Sequence, residues 1–193
     1  MCVERWRNAG PDQRKKMFSM FAESGIFIAS CRHRFVLLAC NMIRSGELYI
    51  VPFTWLSLYW RTLSSAKYPL AILSKLLSVY GKNGGCVYDI GCAFSTTLRN
   101  SSLGSQADDL KLRMMVGAFH RHAHNRMCQL DWHPQYIQGT GHTEGEGCEH
   151  VFAASNELAR STQHATSFHC HQAIEQHFTF WDADKYAALS TYF

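Results

Sequence analysis

Two groups of side chains in this 193-residue sequence have the types and spacing to do chemistry. The first is acidic. Asp89 lies at or near the end of the apolar run Cys86-Val87-Tyr88, and Glu144, Glu146 and Glu149 cluster where a helix is expected to begin. Carboxylates brought together by a strand end and a crossing helix can hold divalent cations. Two such ions about 3.5–4 Å apart clamp the attacking and leaving oxygens of a phosphoryl transfer. The same residues have a plainer use, because Thr143-Glu144-Gly145-Glu146 fits a capping box with Thr143 as N-cap and Glu146 reaching back. Glu149, three residues on, shares a helix face with Glu146.

The second group is Phe119-His120-Arg121-His122-Ala123-His124-Asn125-Arg126-Met127-Cys128. On one helix, His120, His124 and Cys128 fall at i, i+4 and i+8 and form a three-ligand zinc face. On a strand, His120, His122 and His124 share a side instead. Histidines among arginines also suit a solvated or nucleic-acid-facing surface. Arg32, Arg34, Arg121 and Arg126 are the candidates for phosphate contact. Cys31-x-His33 is a weaker copy of the pattern and reads more simply as a hairpin with one buried thiol. Gly139-Thr140-Gly141 is no dinucleotide loop, since the third glycine is misplaced. No Ser or Cys sits in a nucleophile elbow.

These residues need elements to position them. Residues 3–24 read as an amphipathic helix region broken by Gly10-Pro11. The β-length runs 26–31 and 35–43 around the polar Cys31-Arg32-His33-Arg34 predict a hairpin. Tyr68-Pro69 opens a helix with Leu70, Leu73, Leu76 and Leu77 as its apolar stripe, and Gly81 ends it. A buried strand at 86–92, a helical or mixed segment at 94–113 and a strand at 114–119 follow. A long loop then precedes a helix from about 143 to 160, and the His-rich C-terminal stretch is helical. The order β-β-α-β-α-β-α predicts a layered α/β domain.

Composition narrows the class. With 47% apolar and 18% charged residues and a net charge of +4, disorder is excluded as the main state. Eight cysteines form no CxxC pair and no apolar leader precedes them, so reduced thiols in a cytosolic or nuclear protein are expected rather than a disulfide framework. The uncharged, aromatic-rich residues 48–60 fall short of the roughly 20 apolar residues a membrane span needs. No membrane association is expected.

One series of blocks is more specific than any single motif. It comprises Cys31-Arg32-His33, Ser45-Gly46-Glu47, Lys67-Tyr68-Pro69-Leu70-Ala71, Tyr88-Asp89-Ile90-Gly91-Cys92, Gly117-Ala118-Phe119-His120, Ala123-His124-Asn125 with Cys128-Gln129, His133-Pro134, and Gly139-Thr140-Gly141 through Gly145-Glu146-Gly147-Cys148-Glu149-His150. In this order the blocks resemble the Kyakuja-Dileera-Zisupton (KDZ) transposases, DNA transposon enzymes abundant in mushroom-forming fungi.

The resemblance implies an RNase H-like mixed sheet flanked by helices, with Mg²⁺ or Mn²⁺ held by acids for cleavage and strand transfer of transposon DNA. It implies a nuclear location, DNA as partner and a homo-oligomer. Asp89 matches the strand-four acid, and Glu146 and Glu149 match the Gly-Glu-x-x-Glu motif of the late helix, leaving open which of the two faces the metal. His120 and His124 are expected to orient the site or, with Cys128, to bind zinc. Two departures bear on activity. The family's Asp-Gly-Asn-Phe-like strand with the first catalytic acid has no counterpart, so an N-terminally truncated, inactive core spanning residues 1–193 is expected. Residues 49–65 interrupt a stretch that runs continuously in the family and read as an insertion, a retained short intron. The alternative is a non-catalytic, transposon-derived DNA-binding or zinc-binding remnant.

Overall fold

The computed structural model describes residues 23–43 and 66–190. The expected insertion at 49–65, the apolar run at 48–60 and nearly all of the helix region at 3–24 lie outside the described residues. Glu23 and Ser24, the end of that helix region, instead open a strand. The chain divides into two compact units. The first is Met1–Phe27 with Cys40–Gly145, and the second is Ile28–Ala39 with Glu146–Phe193.

The expected hairpin is present as β1 (Glu23–Ser30) and β2 (Val36–Ile43), which pair as a two-stranded sheet. Its turn is closed by the Arg34 N–H donating to the Cys31 carbonyl at 2.8 Å and the Cys31 N–H donating to the Phe35 carbonyl at 3.0 Å. Arg34 takes φ +72°, the left-handed residue that such three- to five-residue hairpin loops require. The base of the hairpin belongs to the first unit and its tip to the second.

In the first unit, helix α1 (Lys67–Tyr80) buries Pro69, Ile72, Leu73 and Leu77. The stripe is therefore turned slightly from the all-leucine one read in the sequence, with Ile72 taking the fully buried place and Leu76 half-buried. Gly81, at φ +70°, stops it. Strand β3 (Gly85–Val87) pairs in parallel with β4 (Arg113–Met115), in the register Gly85–Arg113, Cys86–Met114, Val87–Met115. Parallel strands need a long crossover, supplied here by α2 (Gly91–Arg99) and α3 (Gly104–Asp109). Both strands are shorter than the apolar runs suggest. Glycine and the turn residues after Val87 leave the ladder early, and the chain enters α2 at Gly91 rather than 94.

The core of this unit gathers Leu73, Leu77, Phe94, Leu98, Ala107 and Met114, with Tyr88 and Trp132 packed at its margin. Burial of these side chains is the main force holding β3, β4 and their helices together. Beyond β4 come a 3₁₀ turn (His120–Ala123), helix α4 (Arg126–Asp131) and a second 3₁₀ turn (Pro134–Tyr136).

The second unit, beyond the hairpin tip, is helical: α5 (Gly147–Ala154), α6 (Asn156–Thr162) and α7 (Ser167–Ser190). The single helix expected over 143–160 is thus two short ones that begin later. Ser155 breaks them, its hydroxyl donating back to the Val151 carbonyl at 2.8 Å. Within this unit the Trp181 indole donates to the Arg34 carbonyl at 2.7 Å and the Val36 N–H donates to Asp182 Oδ1 at 3.0 Å, tying the hairpin tip to α7. The protein is a mixed α/β chain with small sheets flanked by helices. Among the described residues, no helix is long and apolar enough to cross a membrane.

Candidate metal centre

Asp89 lies past the carboxyl end of β3, in the turn Tyr88-Asp89-Ile90-Gly91 that runs into α2. The Tyr88 N–H donates to the Met115 carbonyl at 3.0 Å, and the Gly91 N–H closes the turn onto the Tyr88 carbonyl at 2.8 Å. Gly91 is buried against β4, where any Cβ would run into the Met115 carbonyl oxygen. Only glycine lets the turn lie this close to the strand. The local sequence thus holds Asp89 in a turn packed against β4, its side chain half-exposed.

Two histidines meet this acid differently. His120 turns its Nδ1 to within 3.5 Å of Asp89 Oδ1, the two side chains being 24% and 40% exposed. His124 places Nε2 2.9 Å from the Asp89 backbone oxygen. A carbonyl only accepts, so Nε2 carries the proton and Nδ1 presents a lone pair. That Nδ1 lies 3.4 Å from Cys92 Sγ and 3.3 Å from Cys128 Sγ. The ligand atoms of Cys92, His124 and Cys128 all fall within 4.8 Å of one another, with His124 and Cys128 buried. Three such donors could hold a metal ion such as zinc.

Cys128 and His124 belong to this group by spacing; Cys92 was not foreseen. Of the two readings the spacing allows, a helix face shared by His120, His124 and Cys128 and a strand side shared by His120, His122 and His124, the backbone forms neither. His120 lies in the 3₁₀ turn, His124 is extended at φ −90° and ψ 165°, and α4 starts only after Asn125. Asn125 explains the break. Its Oδ1 accepts the Cys128 N–H at 2.9 Å, a helix N-cap, and a cap residue takes a non-helical backbone. The Gln129 side chain then donates to the His124 carbonyl at 2.9 Å. The bend swings His120 to the Asp89 carboxylate and His124 to the two thiols. Burial holds His124 below the ordinary histidine value, against the upward pull of the Asp89 carbonyl.

Glu146 and Glu149 belong to the second unit. The capping box read from Thr143 to Glu146 does not form, because α5 starts at Gly147 with Glu146 itself as N-cap residue and no side-chain cap hydrogen bond. Gly145, at φ +78°, turns the chain just before it. Glu149 is exposed in the first turn of α5, where a carboxylate meets the positive end of the helix dipole. Glu144 is exposed, and its backbone oxygen accepts the Ala118 N–H at 2.9 Å.

Of the candidate phosphate contacts, Arg32 and Arg126 are exposed and Arg34 and Arg121 are half-buried. Arg32 Nε donates to His33 Nε2 at 3.3 Å, and Arg126 Nη1 donates to Gln129 Oε1 at 3.4 Å. A cleft of about 450 Å³ in the first unit is lined by Arg99, Asp108, Arg113, Asp131 and Trp132 among others, and by none of the candidate site residues.

A family model described as Kyakuja-Dileera-Zisupton transposase matches residues 1–65 and 60–182, most of the chain. No curated protein and no solved structure matches it.

Proposed function

The chain belongs to the Kyakuja-Dileera-Zisupton transposase family, and from that premise we propose that it is the RNase H-like core of a DNA transposase, using Asp89 with Glu146 or Glu149 to hold Mg²⁺ or Mn²⁺. The observation that carries this reading is the setting of Asp89. It stands at the carboxyl end of a parallel strand pair, where open α/β sheets bind their ligands, on a turn pinned at Gly91. Its carboxylate offers hard oxygen donors, the ligand type these cations select.

Bound at that carboxylate, a divalent cation would polarise a phosphodiester and neutralise charge in the transition state. The rest falls to the protein. His120, 3.5 Å from one carboxylate oxygen, orients the half-exposed Asp89 side chain. Arg32, Arg34, Arg121 and Arg126 contact phosphates and set the register of the strand. Chemically, water displaces a 3′ oxygen from phosphorus, and the freed 3′ hydroxyl then displaces a second such oxygen on target DNA. Each displaced oxygen takes up a proton.

Binding is the decisive readout. Calorimetry with Mn²⁺ should show a site that Asp89→Ala abolishes and Asp131→Ala leaves intact. No binding, or binding indifferent to Asp89, overturns the enzymatic reading. It would leave the second one, a non-catalytic DNA- or zinc-binding protein, which the thiol–imidazole group at Cys92, His124 and Cys128 favours.

A further inference from the structure

We propose that Cys92, His124 and Cys128 bind one Zn²⁺, and that the ion locks the backbone of Asp89 through the second nitrogen of His124. The metal-binding half stands on the geometry alone; the positioning half rests on the role proposed for Asp89.

Distances support the ligand set. A tetrahedral zinc with bonds of about 2.3 Å to sulfur and about 2.0–2.1 Å to nitrogen holds such donors about 3.6 Å apart. His124 Nδ1 stands 3.4 Å from one thiol and 3.3 Å from the other. The two sulfur atoms, which lie within 4.8 Å of each other, close to about 3.8 Å when they share the ion. The imidazole is already in the right tautomer, because Nε2–H is committed to the Asp89 carbonyl at 2.9 Å. A ligating histidine almost always gives its other N–H to a carbonyl or carboxylate, which fixes the ring and raises its basicity.

Charge supports it as well. Binding converts two thiols to thiolates and releases two protons, so Zn²⁺ with two thiolates adds no net charge to a largely buried place. Three protein ligands leave one position of a four-coordinate ion for water. The elements are held independently of any metal: Gly91 seats the start of α2 on β4, and Asn125 caps α4 beneath Cys128.

The ligands come from two segments, the first turn of α2 and the residues around the start of α4. An ion joining them closes a ring that runs through Asp89. Without it, the His124 ring that holds the Asp89 carbonyl is no longer tied to α2 through Cys92.

The test starts with the full chain purified under reducing conditions. Zinc content should be close to one per molecule, and cobalt substitution should give the sulfur-to-metal charge-transfer band of a tetrahedral thiolate site. Cys92→Ser should lower zinc affinity at least about 10-fold, whereas His120→Ala should retain the ion. The second pair decides between this ligand set and the helical spacing His120-His124-Cys128. Zinc retained in Cys92→Ser and lost in His120→Ala would overturn the proposal, and so would a wild-type chain that takes up neither zinc nor cobalt. If Cys92→Ser fails to fold, the wild-type metal content and cobalt spectrum still decide. For the positioning half, chelation of the wild-type protein should speed amide exchange at Gly91 about 10-fold and leave the β2 amides unchanged. Exchange indifferent to zinc would remove the link to Asp89 while leaving the metal site, an outcome distinct from failure of Mn²⁺ binding.

Discussion

Asp89 and Glu149 are carboxylates assigned to one kind of chemistry, and the molecule treats them differently. Asp89 is surrounded by determined geometry: a glycine that admits the turn, a histidine 3.5 Å from its oxygen and another 2.9 Å from its carbonyl. Glu149 stands exposed on the first turn of the eight-residue helix α5, and Glu146 occupies that helix's N-cap place without a side-chain cap bond. A group whose surroundings are set in advance loses less entropy on taking a ligand than an exposed side chain on a short helix. The first region fixes the surroundings of its carboxylate in advance, and the second leaves Glu149 exposed.

The largest expected difference between the two lies in metal binding. Asp89→Ala should weaken Mn²⁺ binding about 100-fold, about 2.7 kcal/mol. Glu146→Gln and Glu149→Gln, measured by the same calorimetry, should differ from each other, the larger loss marking the ligand. Neither glutamate substitution should move thermal stability by more than about 0.5 kcal/mol, as for surface changes generally.

Next in size is the base under Asp89. Gly91→Ala drives a methyl into the Met115 carbonyl and should cost about 1–3 kcal/mol in denaturant unfolding. Gly84→Ala is its control, since a Cβ there meets Leu112 at an ordinary 3.6 Å. Equal effects at the two glycines would remove the distinction between a built and an incidental turn. Asn125→Ala removes the cap of α4 and should cost about 1 kcal/mol, with Asn125→Asp restoring most of it.

The smallest effect is on pH dependence. His133 is buried at 1% exposure and its Nδ1 accepts the Gln135 N–H at 3.0 Å, so the fold needs the imidazole unprotonated. Burial first, then the charges of Arg121 and His122, hold its pKa below the ordinary 6.5. The unfolded chain therefore takes the proton first as pH falls. Stability is fully present above about 6.5 and declines below it until the folded group is protonated too. His133→Asn should keep the cap and flatten that decline in urea unfolding across pH 5–7.

Local pattern carried far along this chain. The hairpin, α1 with its glycine stop, two further strands separated by a helical segment and the C-terminal helix follow from periodicity and turn residues acting over a few positions. Errors arose where two local preferences competed. Spacing alone allows His120 to Cys128 as a helix or His120 to His124 as a strand, but the chain makes a 3₁₀ turn, an extended His124 and then α4 capped by Asn125. Thr143 to Glu146 reads as a capping box, but Gly145 at φ +78° defers the helix to Gly147.

The sequence by itself determined the family, through ordered blocks that few chains share, and it determined which side chains carry acid, imidazole and thiol chemistry. Tertiary structure alone decided how they combine. Cys92 is 32 residues from His124, beyond the reach of any periodicity, and it meets that ring only because α2 starts beside the turn that β3 and β4 support. His120 is four residues from His124 and yet serves a different partner, because the backbone bends between them. Residue type follows from the letters; which atoms share a few ångströms follows from the packing that brings distant segments together.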